Sequence, residues 1–129
     1  MRRLVLTIGL IVIVASQATA RESRFLRSLR MLAPTDRLVQ LCDYTVMRRI
    51  GKEHRKFRPD RAVAGARAQS KISNHTVDAK GGAFRSRGKW YAFSYTCTAT
   101  PDHMKVLSFK YEIGKAIPEA KWASYGLWQ

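Results

Sequence analysis

Along the stretch 91–98, large or apolar residues alternate with small or polar ones. Tyr91, Phe93, Tyr95 and Cys97 fall on one side, and Ala92, Ser94, Thr96 and Thr98 on the other. A period of two is that of a half-buried strand. The segment from Gly81 to Thr98 therefore predicts a β-hairpin turning at Arg87 and Gly88, since a tight two-residue turn needs positive φ and glycine adopts it at no steric cost. In that register Phe84 lies opposite Tyr91 and carries the apolar face onto the neighbouring strand. After a turn at Thr100–His103, the segment from Lys105 to Ile113 alternates again. Leu107, Phe109, Tyr111 and Ile113 are expected to face inward on a third strand of the meander.

A different period governs the chain before the hairpin. Leu38, Leu41, Cys42, Val46 and Ile50 recur at steps of three and four, the stripe of an amphipathic helix. Thr35 reads as its N-cap, Asp36 suits the positive end of the helix dipole, and Gly51 reads as its stop. The helical and strand periods independently place Cys42 and Cys97 on their apolar sides. That predicts a disulfide clamping helix to sheet, and in the chain-entropy model a loop of this length is worth about 4 kcal/mol. Between helix and hairpin, the stretch from Arg61 to Ala68 is ambiguous. The polar stretch from Gln69 to Lys80 holds a turn at Asn74 and His75 and a short strand at Thr76 and Val77. Pro118 fits the first turn of a short helix reaching Ser124 or Tyr125, with Gly126 as its stop. The expected fold class is α+β: a small antiparallel meander packed on one main helix, joined through Cys42 and Cys97, with a short C-terminal helix.

The first twenty residues have a different character. Arg2 and Arg3 precede the apolar run from Leu4 to Val14, and Ala18, Thr19 and Ala20 form a small-residue cleavage site, as in a secretory signal. The apolar run is short for a membrane span of about 20 residues. Residues 1–20 are thus expected to be a signal peptide cut after Ala20, which makes the protein periplasmic or secreted. Residues 21–34 form a basic N-terminal segment with Phe25, Leu29 and Leu32 on one side and Arg24, Arg27 and Arg30 away from them. It is open between a helix lying on an anionic membrane, a frayed terminus and a helix packed on its own domain. Residues 35–129 make a single domain.

Charge narrows the choice of partner. The chain has 24 Lys and Arg against 9 Asp and Glu, a formal +15, and loss of Arg2 and Arg3 leaves +13. Such a balance favours anionic partners, here an envelope polymer or lipid head groups; export argues against nucleic acid. Candidate anion-binding residues are Arg48, Arg49, Lys52, Arg55, Lys56, Arg58 and Arg61, a run broken only by Glu53 and Asp60 among acidic residues, together with Arg85, Arg87 and Lys89 near the hairpin tip. Trp90, Trp122 and Trp128 are candidate aromatic contacts. His54, His75 and His103 show no metal-ligand spacing, and no phosphate-binding loop or nucleophile motif occurs. No cofactor or metal is expected. Glu53, Asp60, Asp102 and Glu112 read as salt-bridge partners.

Several segments together resemble one family. They are Leu41 to Asp43, Phe57 to Ala64, Ala83 to Tyr91, the Cys97 strand, Pro101 to His103, Val106 to Phe109 and Ile113 to Trp122. This pattern is similar to the domain-of-unknown-function family DUF930, over about Leu38 to Trp128. The resemblance implies an exported alphaproteobacterial envelope protein and carries over no activity and no catalytic residue. The leading functional expectation is a non-catalytic periplasmic protein that binds an anionic envelope component through its basic surface. A protein-interaction module or inhibitor meeting its partner through the aromatic C-terminal end is the alternative. A cell-wall hydrolase assembled from distant residues is the third.

Overall fold

The computed structural model describes residues 24–129, so the expected signal peptide, its cut after Ala20 and the start of the basic segment lie outside the described residues. The fold is α+β. A first helix, α1, occupies residues 24–30. Helix α2 follows at Pro34–Glu53, then strands β1 (Pro59–Val63), β2 (Lys71–Ser73), β3 (Thr76–Ser86), β4 (Lys89–Ala99) and β5 (Val106–Ala116). A short helix, α3 (Glu119–Trp122), runs into a 3₁₀ turn at Ala123–Tyr125. Among the described residues no helix is long and apolar enough to cross a membrane.

Helix α2 begins one residue before the expected cap. Pro34 takes the first helical turn, where its fixed φ suits the helix and its missing N–H costs nothing. Ala33 is the N-cap and offers no side-chain bond, so Thr35 lies inside the helix rather than capping it. At the other end Gly51 keeps a negative φ and the helix runs on to Glu53. The buried stripe is Leu38, Leu41, Cys42, Asp43, Val46 and Ile50. This face packs on the sheet, and the Cys42–Cys97 disulfide joins the two with 6.0 Å between Cα atoms.

The sheet is larger than the meander expected. Its order is β1-β3-β4-β5, and β2 pairs with β3 beyond the end of β1. The ambiguous stretch after Pro59 and the polar stretch after Gln69 thus both supply edge pairing for β3. The hairpin register is as the sequence reads, with Phe84 opposite Tyr91. Arg87 and Gly88 turn it with φ of 52° and 77°. Both values are positive, the requirement of a type I′ turn. One face of the sheet meets the helices through Val77, Phe84, Phe93, Tyr95 and Cys97, all buried.

Among the described residues four register shifts interrupt the ladders, one on β1 between Pro59 and Arg61 and three along β3, β4 and β5 that change which residues share a face. Between Ala79 and Gly82 the register of β3 shifts against β4, so Lys80 and Gly81 stand where one residue would. A side chain at Gly81 would meet the Ala68 backbone nitrogen at 2.6 Å, and this close approach lets the 64–70 loop hydrogen-bond there through Arg67 N–H to the Gly81 carbonyl. In β5 the shift between Thr98 and Ala99 of its partner pushes Leu107 out of the ladder. Leu107, expected inward, is 64% exposed, and Val106 takes the inner place opposite Ala99. The third shift lies between Tyr91 and Phe93 on β4, opposite Gly114 and Lys115.

The opposite face of the sheet carries a second, smaller core near the hairpin tip. Ala83, Trp90, Ile117, Trp122 and Leu127 pack together there beneath the C-terminal segment. Two indole bonds close it: Trp90 Nε1–H donates to the Trp128 carbonyl at 2.6 Å and Trp122 Nε1–H to the Ile117 carbonyl at 2.9 Å. At the other end of the molecule Arg37 fixes α1. Its guanidinium donates to the carbonyls of Leu29 (2.9 Å), Leu32 (3.0 Å) and Arg30 (3.3 Å), at and just beyond the C-terminal end of α1, and to that of Asp102 at 3.0 Å. With Leu29 only 1% exposed, α1 is a helix packed on its own domain.

Replacing both Cys42 and Cys97 by alanine removes a cross-link over 55 positions and is expected to cost about 3–4 kcal/mol. Thermal unfolding should then fall by more than about 10 °C; an unchanged midpoint would contradict the clamp. Arg37→Ala should loosen α1 without unfolding the sheet, seen as faster amide exchange confined to residues 24–32.

Candidate functional site

The two basic clusters, distant in sequence, meet at one end of the sheet. Strand β1 lies antiparallel to β3 with Pro59 opposite Ser86, and Ser86 lies opposite Lys89 across the hairpin. Ser86 Oγ accepts from the Arg58 backbone N–H at 2.8 Å, which pins the α2–β1 loop against the hairpin tip. Beneath that loop Phe57, 8% exposed, sits edge-on to Phe84 and Tyr91. The loop is thus anchored by one aromatic ring and one hydrogen bond. Its charged side chains are left outward: Arg55, Lys56 and Arg58 are exposed, as are Arg87 and Lys89.

The ten candidate cations are not equivalent. Arg85 is only 14% exposed and forms a bidentate pair with Asp60, Nε–Oδ1 3.0 Å and Nη2–Oδ2 2.9 Å, while its guanidinium lies 5.9 Å from the Trp90 ring. It ties β1 to β3 and is not available to an outside anion. The guanidinium, donating to Asp60, holds that carboxyl below the usual carboxylate range. Arg49 pairs with Glu53 at 2.7 Å, and the Tyr111 hydroxyl donates to the second Glu53 oxygen at 2.7 Å. Those two bonds, the tyrosine's first, keep Glu53 ionised to lower pH; burial chiefly, and then Glu53, push the Tyr111 hydroxyl up to about 12. Arg48 donates to the Tyr44 hydroxyl at 3.3 Å, and Arg61 turns back to the Asp60 carbonyl at 2.9 Å. Among the described residues no ion pair involves Lys52, Arg55, Lys56, Arg58, Arg87 or Lys89.

The aromatic candidates divide as well. Trp90 is fully buried and Trp122 is 8% exposed, both in the second core, because the C-terminal segment folds over them. Only Trp128, 49% exposed, presents its ring to solvent. A groove of about 490 Å³ opens beside the tip, between Arg87, Lys89, Ile117 and Glu119. A larger one, about 590 Å³, has mixed charge from Asp78, Lys80, Lys110 and Glu112.

Two polar pairs, one buried and one partly buried, join elements that the sequence pattern does not link. Tyr95 hydroxyl donates to Asp43 Oδ1 at 2.8 Å, with 3% and 5% of the residues exposed. Burial pushes the Asp43 carboxyl up to about 7 against the opposing effect of that bond, and raises the Tyr95 hydroxyl as well. Asp43 stands three and seven positions before Val46 and Ile50, so its place on the buried stripe was readable. In the second pair, His103 Nδ1–H donates to the Pro34 carbonyl at 2.7 Å, and its Nε2 shares a hydrogen bond with His75 Nδ1 at 2.9 Å. The pair ties the β2–β3 turn to the start of α2. Among the described residues no three His, Cys, Asp or Glu side chains are grouped to hold a metal ion.

Fold and surface together define a small disulfide-clamped α+β domain with a basic end. Its sequence matches a family described as Domain of Unknown Function (DUF930) over residues 29–127, and the chain belongs to that family. No curated protein matches the chain, and no solved structure does.

Asp43 gives a pH signature. Its folded value, about 7, lies above its ordinary 3.8, so between these pH values the native state keeps a proton that the unfolded chain has released. Stability should fall as pH rises through this window, at up to about 1.4 kcal/mol per unit, and level off above it. Glu53, Asp60 and Asp102 act with the opposite sign, their contribution being lost as pH drops below the ordinary carboxylate range. Asp43→Asn keeps an acceptor for Tyr95 and should flatten the slope between pH 4 and 7, leaving the variant more stable than wild type at pH 8. Parallel profiles in urea titrations would contradict this.

Proposed function

We propose that this is an exported, non-catalytic protein of the alphaproteobacterial periplasm that binds an anionic envelope polymer through its basic end. The observation that carries the reading is the convergence of Arg55, Lys56 and Arg58 with Arg87 and Lys89, held together by the Pro59–Ser86–Lys89 pairing and free of ion pairs among the described residues. Exposed cations grouped on a rigid edge attract a polyanion at little cost in order, since the backbone that carries them is already fixed. Phosphate or carboxylate groups along a polymer match such a row. The beginning of the chain, with its signal-like pattern, supports export. The interaction-module reading has less to stand on, because Trp90 and Trp122 are packed inside and Trp128 alone remains at the surface.

Cosedimentation with lipopolysaccharide tests the proposal. Binding should weaken steeply between 0.1 and 1 M salt, as the Debye length falls from about 10 to about 3 Å. Arg58→Gln combined with Lys89→Gln should lower affinity by about tenfold or more. The charge-matched pair Lys71→Gln and Lys110→Gln, away from this end, should leave it nearly unchanged. Equal losses from both pairs would mean that net charge alone attracts the polymer and that the basic end is no site.

A further inference from the structure

A second surface, separate from the basic end, is apolar within and cationic around it. Helix α1, helix α2 and the start of β5 enclose a cleft of about 300 Å³. Its walls include Phe25, Leu26, Leu41, Tyr44, Met104 and Val106, with Phe25 stacked on Tyr44 at 3.8 Å between ring centroids. Three cations also line it, Arg48, Arg49 and Lys105, and no carboxylate does. Arg49 is engaged with Glu53, but Arg48 and Lys105 are exposed and have no acidic partner among the described residues. The mixed-charge groove on the sheet, by contrast, has two acidic residues among its cations. Charge of one sign at the mouth of an apolar slot selects a ligand with an anionic head and an alkyl tail. The volume lies at the small end of ligand pockets, which suits one chain rather than two.

From this geometry we infer that the cleft binds a single-chain anionic amphiphile, its tail against Leu41, Met104 and Val106 and its carboxylate or phosphate at Arg48 and Lys105. Burial of the tail supplies affinity, and the two cations select the head. The cleft depends on α1 staying docked, so Arg37 positions it at a distance through the end of that helix.

Methyl NMR of the purified protein titrated with octanoate, decanoate and dodecanoate tests the inference. Shifts should appear at Leu41, Met104 and Val106, and affinity should rise about fourfold per added methylene, the fold-change of burying one CH₂, until the cleft is full. Arg48→Gln with Lys105→Gln should weaken dodecanoate about tenfold, with methyl shifts in the free protein confined to the neighbours of the two substituted residues, and should leave binding of neutral dodecanol unchanged. Equal affinity for dodecanol and dodecanoate in wild type, absence of chain-length dependence, or shifts confined to the hairpin tip would each overturn it. So would nuclear Overhauser contacts from the apolar run at Leu4–Val14 to Val106, which would place the chain's own N-terminal segment in the cleft. Variants at Arg58 and Lys89 should not affect this titration, so failure here leaves the polymer reading standing, and the reverse holds.

Discussion

The structure depends on how α2 is held against the sheet. One covalent bond, Cys42–Cys97, and one buried hydrogen bond, Tyr95 to Asp43, sit side by side on the same interface. Around them Leu38, Val46, Ile50, Val77, Phe84 and Phe93 are excluded from water almost completely. A domain near one hundred residues has limited area to bury, and a cross-link that narrows the unfolded ensemble offsets part of the deficit. The Asp43 carboxyl works in the other sense. Placed in a core that raises it to about 7, it costs stability near neutral pH, and its bond from Tyr95 joins α2 to β4.

That clamp has a consequence for the surface. Because α2 is fixed on one face and only residues 54–58 separate it from β1, the loop after Glu53 is held close to the hairpin. Phe57 beneath it and the Arg58–Ser86 bond complete the constraint. Cations that are neighbours only in space are then gathered at one end, while Arg85 and Arg49 are engaged by Asp60 and Glu53. An excess of positive charge is thereby sorted into structural and available portions.

Much of this was legible before the coordinates. Simple periodicity located α2, the hairpin, its turn and the cysteine pair, because each of these obeys one period with one buried side. What it missed has common causes. Bulges at Lys80–Gly81 and Leu107–Ser108 break the period of two locally, so strict alternation puts Leu107 inward although the bulge expels it. Trp90 lies on the side read as polar because a period of two assumes one dry face, and here the C-terminal segment covers part of the other. β1 and β2 are short and exposed, with little pattern to read. The convergence of Arg58 with Lys89 depends on β1 pairing with β3, a long-range contact that composition does not encode. Arg85 and Arg87 look alike in sequence; only the side-chain pair with Asp60 and the turn at Gly88 separate a tether from an exposed cation.

The central claim is that the basic end, rather than overall charge, engages an anionic polymer. Amide NMR of the protein with and without purified lipopolysaccharide at moderate salt tests it most directly. The account predicts shifts confined to residues 54–58 and 86–90, with β2 and the middle of β5 unaffected. Shifts scattered over every exposed lysine and arginine, or centred elsewhere on the sheet, would contradict it.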